Sequence, residues 1–527
     1  MRQQLIKLSL LIFAAGFFAS CKKHLDISPT QSIESSTALN SRDNVSAAIT
    51  GVYSRLKSAR MFGRDLIALP EALADNGFAT NKSGRLVPEA QNNVPPATGA
   101  SNHFTATIWS TSYSAINEVN LILSKINEVP DATAADKTNW EGQLYFLRGL
   151  YHLILVECYA YMPGATVAAQ DKGGVPLLLA FTDNIDTARV ILPARAPIND
   201  VYNQIVSDWT VANTKFTNAS FTATTDVSVA NKPAIQGLLA RVNLYRKNYS
   251  EAKRWADSCI ALAGARLTTT ATYVNNWRQA THGETLFQVR YASTSENIGV
   301  NESMQTTSTT LVSPGGTVTG GFGDLVPTLT LLTDLGITIG TINTTTGVVT
   351  PAHNSTSFAA SNLTIASRSA DVRNQLYEVG TSGRGNRKVE TTKYLGKNGA
   401  INLDNIPVLR IAEVYLTRAE AMATPGSPVF NETAALADLN TILTNRGLTA
   451  VTLVNGTNNA LYEEILRQRR IELAFEGHRF FDLKRLGRNL VKSPHYNDVA
   501  FTDFRILPPI PQRETDLNPN LKQNFGY

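Results

Sequence analysis

Residues 461–487, LYEEILRQRRIELAFEGHRFFDLKRLG, decide how this chain is expected to fold. Apolar residues recur at helical spacing on two neighbouring stripes, and Leu461 and Ile465 begin one of them. Arginine and glutamate side chains lie between the stripes, so some charges must be buried, and a buried charge needs a partner. The stretch therefore predicts a helix that ends at Gly477 and forms ion pairs with the rest of the chain.

The charged residues of this stretch are interpreted as structural rather than catalytic. Two carboxylates such as Glu472 and Glu476 could in principle serve a glycosidase. Neighbouring arginines, however, keep carboxylates ionised, and no acid with a raised pKa is offered. The predicted structural set is Arg410, Glu413, Arg469, Arg470, Glu472, Glu476, Arg479, Asp482 and Arg485.

A second helix is predicted over residues 405–423, which contain IPVLRIAEVYLTRAEA. Its charged residues recur every three or four positions and so share one side of the helix. We expect this side, which begins at Arg410, to pair with Arg469, Arg470 or Glu472. Such pairing would tie the two helices together through buried charge.

The N-terminal segment predicts an exported, lipid-anchored protein. Residues 1–20 begin with two basic residues, Arg2 and Lys7, and continue with an apolar run that is too short to span a membrane. Two small residues then precede Cys21, as in the lipobox where a cysteine is diacylated. An ordinary cleaved signal peptide is the alternative. A lipidated cysteine would anchor the protein to a membrane surface without spanning it.

The composition argues against nucleic-acid binding and for free cysteines. The chain has 527 residues, 43% of them hydrophobic, and a net charge of +5 that is too weak to indicate nucleic-acid binding. Apart from Cys21 it has only Cys158 and Cys259. A disulfide is possible in an exported protein, but we predict two buried free thiols because both lie in apolar helical patterns.

The segment 231–263 carries the clearest repeat. Its LARVNLYRKNYSEA matches the tetratricopeptide pattern, with Ala240 and Ala252 at positions where two helices pack closely and Tyr249 at the inter-helix aromatic. One such unit cannot bury its apolar face alone, so stacked neighbours are required. The predicted fold class is mainly α: a tetratricopeptide-like helical body with an irregular insert of loops and short strands.

Two regions without helical periodicity are predicted to meet a ligand: residues 60–104 and residues 264–400. Both combine hydrogen-bonding side chains with aromatic rings, which is what a sugar site needs. Solvated loops and core filling are the alternative interpretations. The candidate ligand contacts are Asp75, Asn76, Phe78, Arg85, Asn102, His103, Trp277, Tyr291 and Phe322.

Several motifs in order along the chain resemble the SusD/RagB family, the outer-membrane nutrient-binding lipoproteins of Bacteroidetes. They include RRIELAFEGHRFFDLKRLG, LRIAEVYLTRAEA, GGVPL and the proline-rich tail. Phe481 stands where members often carry Trp. The resemblance divides the chain into a signal peptide (1–20), an N-terminal helical region (21–263) that includes the 60–104 loop, a ligand-facing insert (264–400) and a C-terminal helical region with its tail (401–527).

The resemblance implies a cell-surface lipoprotein, lipid-anchored to the outer membrane through Cys21. It would bind oligosaccharide or polysaccharide and deliver it to a SusC-like TonB-dependent transporter. The sequence itself shows no nucleophile elbow, phosphate-binding loop or zinc-spaced cluster, so we expect no enzyme, no cofactor and no metal. A peptide-capturing or protein-interaction scaffold of the same uptake system remains the alternative, since tetratricopeptide arrays bind peptides.

Overall fold

Helices dominate the parts of the chain that the computed structural model describes, which are residues 39–94, 107–182, 190–217, 221–222, 224–264, 266–397 and 400–527. This confirms the predicted mainly α class. The helices are α1 (Arg42–Arg55), α2 (Asp65–Leu73), α3 (Val87–Ala90), α4 (Trp109–Lys125), α5 (Ala134–Tyr159), α6 (Ile198–Lys215), α7 (Lys232–Tyr245), α8 (Tyr249–Ala263), α9 (Thr270–Asn276), α10 (Met304–Ser308), α11 (Leu329–Asp334), α12 (Ser355–Ala359), α13 (Ile411–Ala423), α14 (Glu432–Asn445), α15 (Ala460–Glu472), α16 (Arg479–Arg485) and α17 (Gln512–Leu517).

The strands are short and form small antiparallel sheets. Strands β1 and β3 pair, β2 pairs with β9, β4 lies between β5 and β6, and β7 pairs with β8. They are β1 (Gly77–Ala79), β2 (Thr285–Val289), β3 (Leu325–Pro327), β4 (Ile337–Ile342), β5 (Val349–Pro351), β6 (Leu363–Arg368), β7 (Tyr377–Val379), β8 (Val389–Thr391) and β9 (Ile406–Arg410).

The helical body is built from successive helix packing. Helix α5 lies against both α4 and α6, α7 packs on α8, and α13 contacts α8, α14 and α15. The α7–α8 pair is the unit that the repeat pattern predicted. Its small residues Ala240 and Ala252 are fully buried, and at Gly237 a Cβ would lie 2.6 Å from the Leu409 side chain. Cys158 and Cys259 are buried free thiols, as predicted.

The predicted helix over 405–423 is wrong in its first turn. Residues Ile406–Arg410 form strand β9, which pairs with β2, and the helix begins only at Ile411. The backbone N–H of Ile411 donates to the carbonyl oxygen of Glu284 at 2.9 Å. Long-range pairing with β2 therefore satisfies backbone groups that a local helix would have used.

The predicted helix of the opening stretch ends earlier than expected. Helix α15 stops at Glu472, Phe475 has a φ of 61°, and Gly477 has a φ of 84°. A Cβ at Gly477 would collide with the carbonyl oxygen of Leu66. Glycine is therefore required there both by the left-handed backbone and by the close approach. The residues that follow form the short helix α16.

The irregular insert shares its core with the helical body. Leu325, Leu331, Ile337 and Leu363 belong to the same buried cluster as the helices. The domain boundaries at 263/264 and 400/401 stay predictions. In the described ranges, no helix has both the length and the apolar character needed to cross a membrane.

Candidate functional site

Pairing of β1 with β3 joins the two regions that were predicted to meet a ligand. Phe78 lies opposite Val326 in this pairing. Just beyond it, the backbone N–H of Thr80 donates to the carbonyl oxygen of Asp324 at 2.8 Å, and the Thr80 hydroxyl donates to that of Gly323 at 2.7 Å. The segment after β1 is thereby fixed against the segment that precedes β3.

Arg85 and Phe322, two of the predicted contacts, meet at this junction. The guanidinium carbon of Arg85 lies 4.8 Å from the centroid of the Phe322 ring. Its Nε and Nη2 donate to one carboxylate oxygen of Asp324 at 3.0 and 2.6 Å, and Nη1 donates to the carbonyl oxygen of Asn301. The Phe322 ring is only partly buried. The ring and its polar neighbours thus form a surface cluster.

Arg384 adds a second cation to the same ring. It lies in the exposed loop between β7 and β8, and its guanidinium carbon is 3.9 Å from the Phe322 centroid. Three separate segments of the chain therefore converge on one aromatic side chain. We call this group the Phe322 surface; it comprises Lys82, Arg85, Phe322, Asp324 and Arg384.

Glu390 lies beneath the Phe322 surface and holds its loops together. Its buried carboxylate accepts hydrogen bonds from the backbone N–H and hydroxyl of Thr310, at 2.7 and 2.8 Å, and from the hydroxyl of Thr309 at 3.0 Å. The ammonium of Lys82 is 3.4 Å away. Burial nevertheless raises the pKa of this carboxyl. Gly323, at a φ of 60°, leaves space for it, because a Cβ there would lie 2.7 Å from a Glu390 oxygen.

Phe78 lies in a neighbouring aromatic cluster. Its ring stacks on Tyr496 with centroids 5.6 Å apart, and it meets Phe358 edge-on at 5.2 Å and His495 at 4.9 Å. Burial lowers the pKa of His495 to about 4, so its imidazole is neutral at physiological pH. Phe78 keeps part of its surface exposed, but most of its contacts are packing contacts.

The structure gives Asp75 and Asn76 a different role from the predicted ligand contact, because both are buried. The carboxylate of Asp75 accepts from Arg479 at 2.6 and 2.8 Å, and Arg470 lies 3.5 Å away. Asn76 donates to the carboxylate of Glu71 at 2.8 Å and accepts from Arg470 at 2.8 Å. Both side chains therefore fix the C-terminal helices to the β1 segment.

Trp277 and Tyr291, predicted as glycan platforms, also lie in the interior. Trp277 is fully buried, with the ammonium of Lys393 4.7 Å and the guanidinium of Arg410 5.3 Å from its ring. The Tyr291 ring is 3% exposed, and its hydroxyl donates to the carbonyl oxygen of Lys57. Neither ring offers a face to a ligand, because the surrounding core and cations already cover it. Asn102, His103, Cys21 and the signal segment lie outside the described residues.

Three members of the predicted structural set, Arg410, Glu472 and Glu476, belong to a buried ion-pair network. Glu472 accepts from Arg410 at 3.0 Å and from Arg446 at 2.9 Å, and the same two arginines bind Glu284 at 2.7 and 2.8 Å. Burial alone would raise the pKa of Glu472, but Arg446 and Arg410 outweigh it and hold that pKa well below its usual range. The buried ion-pair network comprises Glu284, Arg373, Lys393, Arg410, Arg446, Glu472 and Glu476.

A second buried group joins α13, α15 and α16. Asp482 accepts from Arg469 at 2.9 Å and from Arg485 at 2.8 Å, and Arg485 also binds Glu420. Glu413 lies 3.4 Å from Arg469. The expected pairing of the two helices is therefore formed through Arg469 and the ion-pair network. Arg470 departs from it and binds Asp334 at 2.8 Å instead.

A separate cleft of about 490 Å³ lies between α1, the start of α5 and β2. Ile49, Trp140 and Phe287 line its apolar floor. Of the predicted ligand contacts that lie among the described residues, none lines it. Within the described residues, no group of three or more histidine, cysteine or acidic side chains is arranged to hold a metal ion.

Comparison with known proteins gives the same family at both ends of the chain. A family model described as "SusD family" matches residues 343–527, and one described as "Starch-binding associating with outer membrane" matches residues 23–244. A SusD-like protein of Formosa agariphila is 25% identical to the chain, and the alignment covers 98% of both proteins. The chain is SusD-like over both of these segments.

Solved SusD structures have the same fold. A SusD superfamily protein from Bacteroides thetaiotaomicron aligns with a TM-score of 0.73 at 24% identity, covering 92% of this chain and 99% of that one. A laminarin-binding SusD-like protein aligns with a TM-score of 0.65 at 18% identity, covering 93% of this chain and 100% of that one. At these identities the likeness concerns the SusD fold.

The sequence pattern did not single out three members of the Phe322 surface, namely Lys82, Asp324 and Arg384. Arg384 stands in the glycine-rich segment GTSGRGNRK, which has no helical or strand period. A loop that carries several basic residues and no acidic one is the signal that could have singled it out. Its contact with Phe322 depends on long-range strand pairing, which the sequence pattern does not specify.

Proposed function

We propose that the chain is a lipid-anchored outer-membrane protein that captures oligosaccharide or polysaccharide and delivers it to a SusC-like TonB-dependent transporter. The observation that carries the capture step is the Phe322 surface. There, three chain segments bring a partly exposed aromatic ring together with arginine, lysine and carboxylate side chains. Hydrogen-bonding groups around an apolar contact are typical of ligand sites.

The proposed location is supported by the family match in the N-terminal half of the chain. The match described as "Starch-binding associating with outer membrane" begins two residues after Cys21, the predicted lipidation site. A lipid on that cysteine would hold the folded body at a membrane surface. The rigid helical body would then dock the transporter, and the loop-rich face would meet the ligand.

We propose binding without catalysis. Glu472 and Glu476, the two carboxylates considered above for a glycosidase, are both held ionised. The pKa of Glu476 is lowered because Arg410 and Lys393 outweigh the effect of burial. A glycosidase needs one carboxylic acid that stays protonated, together with access to the sugar. Neither carboxylate meets these requirements.

Capture is tested by native affinity electrophoresis of the full chain in a non-ionic detergent. The gels contain starch, laminarin, fructan, xylan, pectin or mannan. We expect one or more polysaccharides to retard the wild type and Phe322→Ala to lose that retardation. Phe430→Ala is the matched control, since Phe430 is an exposed phenylalanine (45%) outside the Phe322 surface. Equal retardation of all three proteins would reject the Phe322 surface as the binding site.

Delivery requires a separate experiment. Cells that co-express the chain with a SusC-like transporter are given the polysaccharide that the gels select, and uptake is measured. Wild type should support uptake, and Phe322→Ala should reduce it in proportion to its loss of binding. Uptake that is unaffected when binding is lost would reject the delivery step.

A further inference from the structure

We propose that the Phe322 surface recognises an anionic glycan, one that carries carboxylate or sulfate groups. This inference rests on the proposed glycan capture and specifies the class of sugar. At this surface one ring face is covered, some charges are neutralised by the chain and others are left for a ligand.

The guanidinium of Arg384 lies over the Phe322 ring. The Arg384 guanidinium carbon lies 3.9 Å from the Phe322 centroid, which is contact distance for stacked groups. A pyranose cannot stack on a ring face that a guanidinium already occupies. The group that this part of the surface presents to solvent is therefore the guanidinium of Arg384, and the ring supports it from below.

Arg85 and Arg384 differ in whether a carboxylate of the chain neutralises their charge. Arg85 is neutralised by Asp324, whose carboxylate lies 2.6 Å from it. Arg384 and Arg387 are both exposed, and neither forms an ion pair with a carboxylate in the described part of the chain. A guanidinium is a planar fork of N–H donors that fits the oxygens of a carboxylate or sulfate. The described part of the chain therefore gives Arg384 no anionic partner. An anionic ligand can supply one.

The loop that carries Arg384 is basic. Between β7 and β8 the chain has Arg384, Arg387 and Lys388 and no acidic residue. The pKa of Lys388 is lowered to about 8, first by burial and then by the positive charge of Lys82. The nearby carboxylate of Glu390 is turned inward to threonine donors. The local potential at the surface is therefore positive.

The cleft beside α1 has a different charge pattern from the Phe322 surface. At the cleft, Lys57 pairs with Glu296 at 2.5 Å, and Arg290 lies 3.7 Å from Asp226. Its cations thus already have carboxylate partners from the chain. The cleft is therefore electrically balanced, whereas Arg384 of the Phe322 surface has no carboxylate partner among the described residues.

The experiment compares charged and uncharged polymers on the same protein. The full chain in non-ionic detergent is run in native gels that contain polygalacturonate, alginate or dextran sulfate, and in gels that contain uncharged laminarin or amylose. We expect retardation by at least one anionic polymer and a clear loss of it at high salt, because salt screens exposed charges. Arg384→Gln should weaken the binding roughly tenfold, the size expected for one charged hydrogen-bonding group.

Two variants serve as controls. Arg513→Gln removes an exposed arginine from α17 and should leave the affinity unchanged. Arg384→Lys keeps the charge but loses the planar fork, and it should restore part of the affinity. Thermal unfolding of each variant should match the wild type, which separates lost recognition from lost structure.

The outcomes separate this inference from the proposed function. Binding of laminarin or amylose alone, insensitive to salt and to Arg384→Gln, would overturn the anionic class and keep glycan capture. Binding of polyglutamate but of no polysaccharide would overturn both in favour of an acidic peptide. The absence of any binding by the folded chain would also overturn both.

Discussion

In the buried ion-pair network each arginine meets a carboxylate, whereas at the Phe322 surface Arg384 meets a ring. Arg446, for example, is fully buried and binds two carboxylates, Glu284 and Glu472. Arg384 is exposed, and within the described ranges its one recorded contact is with an aromatic ring. Charges that are paired in the interior serve the fold, and a charge left unpaired at the surface is free for a ligand.

The largest effect is expected for Glu472→Ala. The carboxylate lies within 3.3 Å of Arg373, Arg410 and Arg446, so its removal leaves three buried guanidiniums without this partner. The free energy of unfolding, measured with urea, should fall by about 3–5 kcal/mol.

Glu463→Ala is the matched control for that prediction. Glu463 pairs with Arg488 at the surface, where both side chains are well exposed, so the loss should stay below about 1 kcal/mol. Equal losses for the two variants would contradict the claim that burial sets the strength of the network.

A smaller loss in free energy of unfolding is expected for Gly477→Ala. Gly477 lies in the segment that joins α15 to α16. Gly426 also has a positive φ, 77°, but nothing lies within 4 Å of its Cβ position, so Gly426→Ala reports backbone strain alone. We expect a loss of about 1 kcal/mol at Gly426 and of about 3 kcal/mol at Gly477, where Leu66 blocks the added methyl group. If Gly477→Ala and Gly426→Ala have the same melting temperature, the chain relaxes around the methyl group added at residue 477.

Asp75→Asn should show a structural role through its pH dependence. Burial raises the pKa of Asp75, but Arg470 and Arg479 outweigh it and lower that pKa to about 2. The folded pKa is below the unfolded value of about 4, so the contribution to stability is present above pH 4 and is lost as the pH falls towards 2.

The wild type should therefore exceed Asp75→Asn by roughly 2 kcal/mol in free energy of unfolding at neutral pH. The difference should shrink between about pH 4 and pH 2 in urea titrations. A difference that stays constant over this range would contradict the assignment of the stabilisation to the ionised carboxylate.

The smallest effect on stability is expected for Arg384→Gln. The residue is exposed and has a single ring contact, so the free energy of unfolding should change by no more than about 0.5 kcal/mol. A loss above about 2 kcal/mol would place Arg384 among the structural residues and remove the distinction between the two regions.

The two regions also differ in how far sequence predicts them. The apolar stripes around Arg469 and Glu472 require buried charges to find partners, so the existence of the ion-pair network follows from local pattern. The identity of each partner does not, because Arg470 binds Asp334 rather than Glu413. That choice depends on how β1 and α11 pack, which no single segment encodes.

The Phe322 surface was only half predictable. Arg85 and Phe322 were singled out by residue type, yet the same reasoning also selected Trp277, which is fully buried. An aromatic side chain in an irregular segment has no period from which its exposure can be read. Convergence of three loops on one ring comes from the β1–β3 and β7–β8 pairings, which are long-range or hairpin contacts.

The distinction between residues that stabilise the fold and residues that bind a ligand is tested most directly on three proteins: wild type, Phe322→Ala and Asp75→Asn. Affinity and melting temperature are measured for each. Affinity is measured by isothermal titration with the polysaccharide that the gels select. We expect Phe322→Ala to lose affinity at least roughly tenfold with its melting temperature nearly unchanged, and Asp75→Asn to lose melting temperature while it keeps its affinity. The reverse pattern, with affinity lost in Asp75→Asn and kept in Phe322→Ala, would contradict the account.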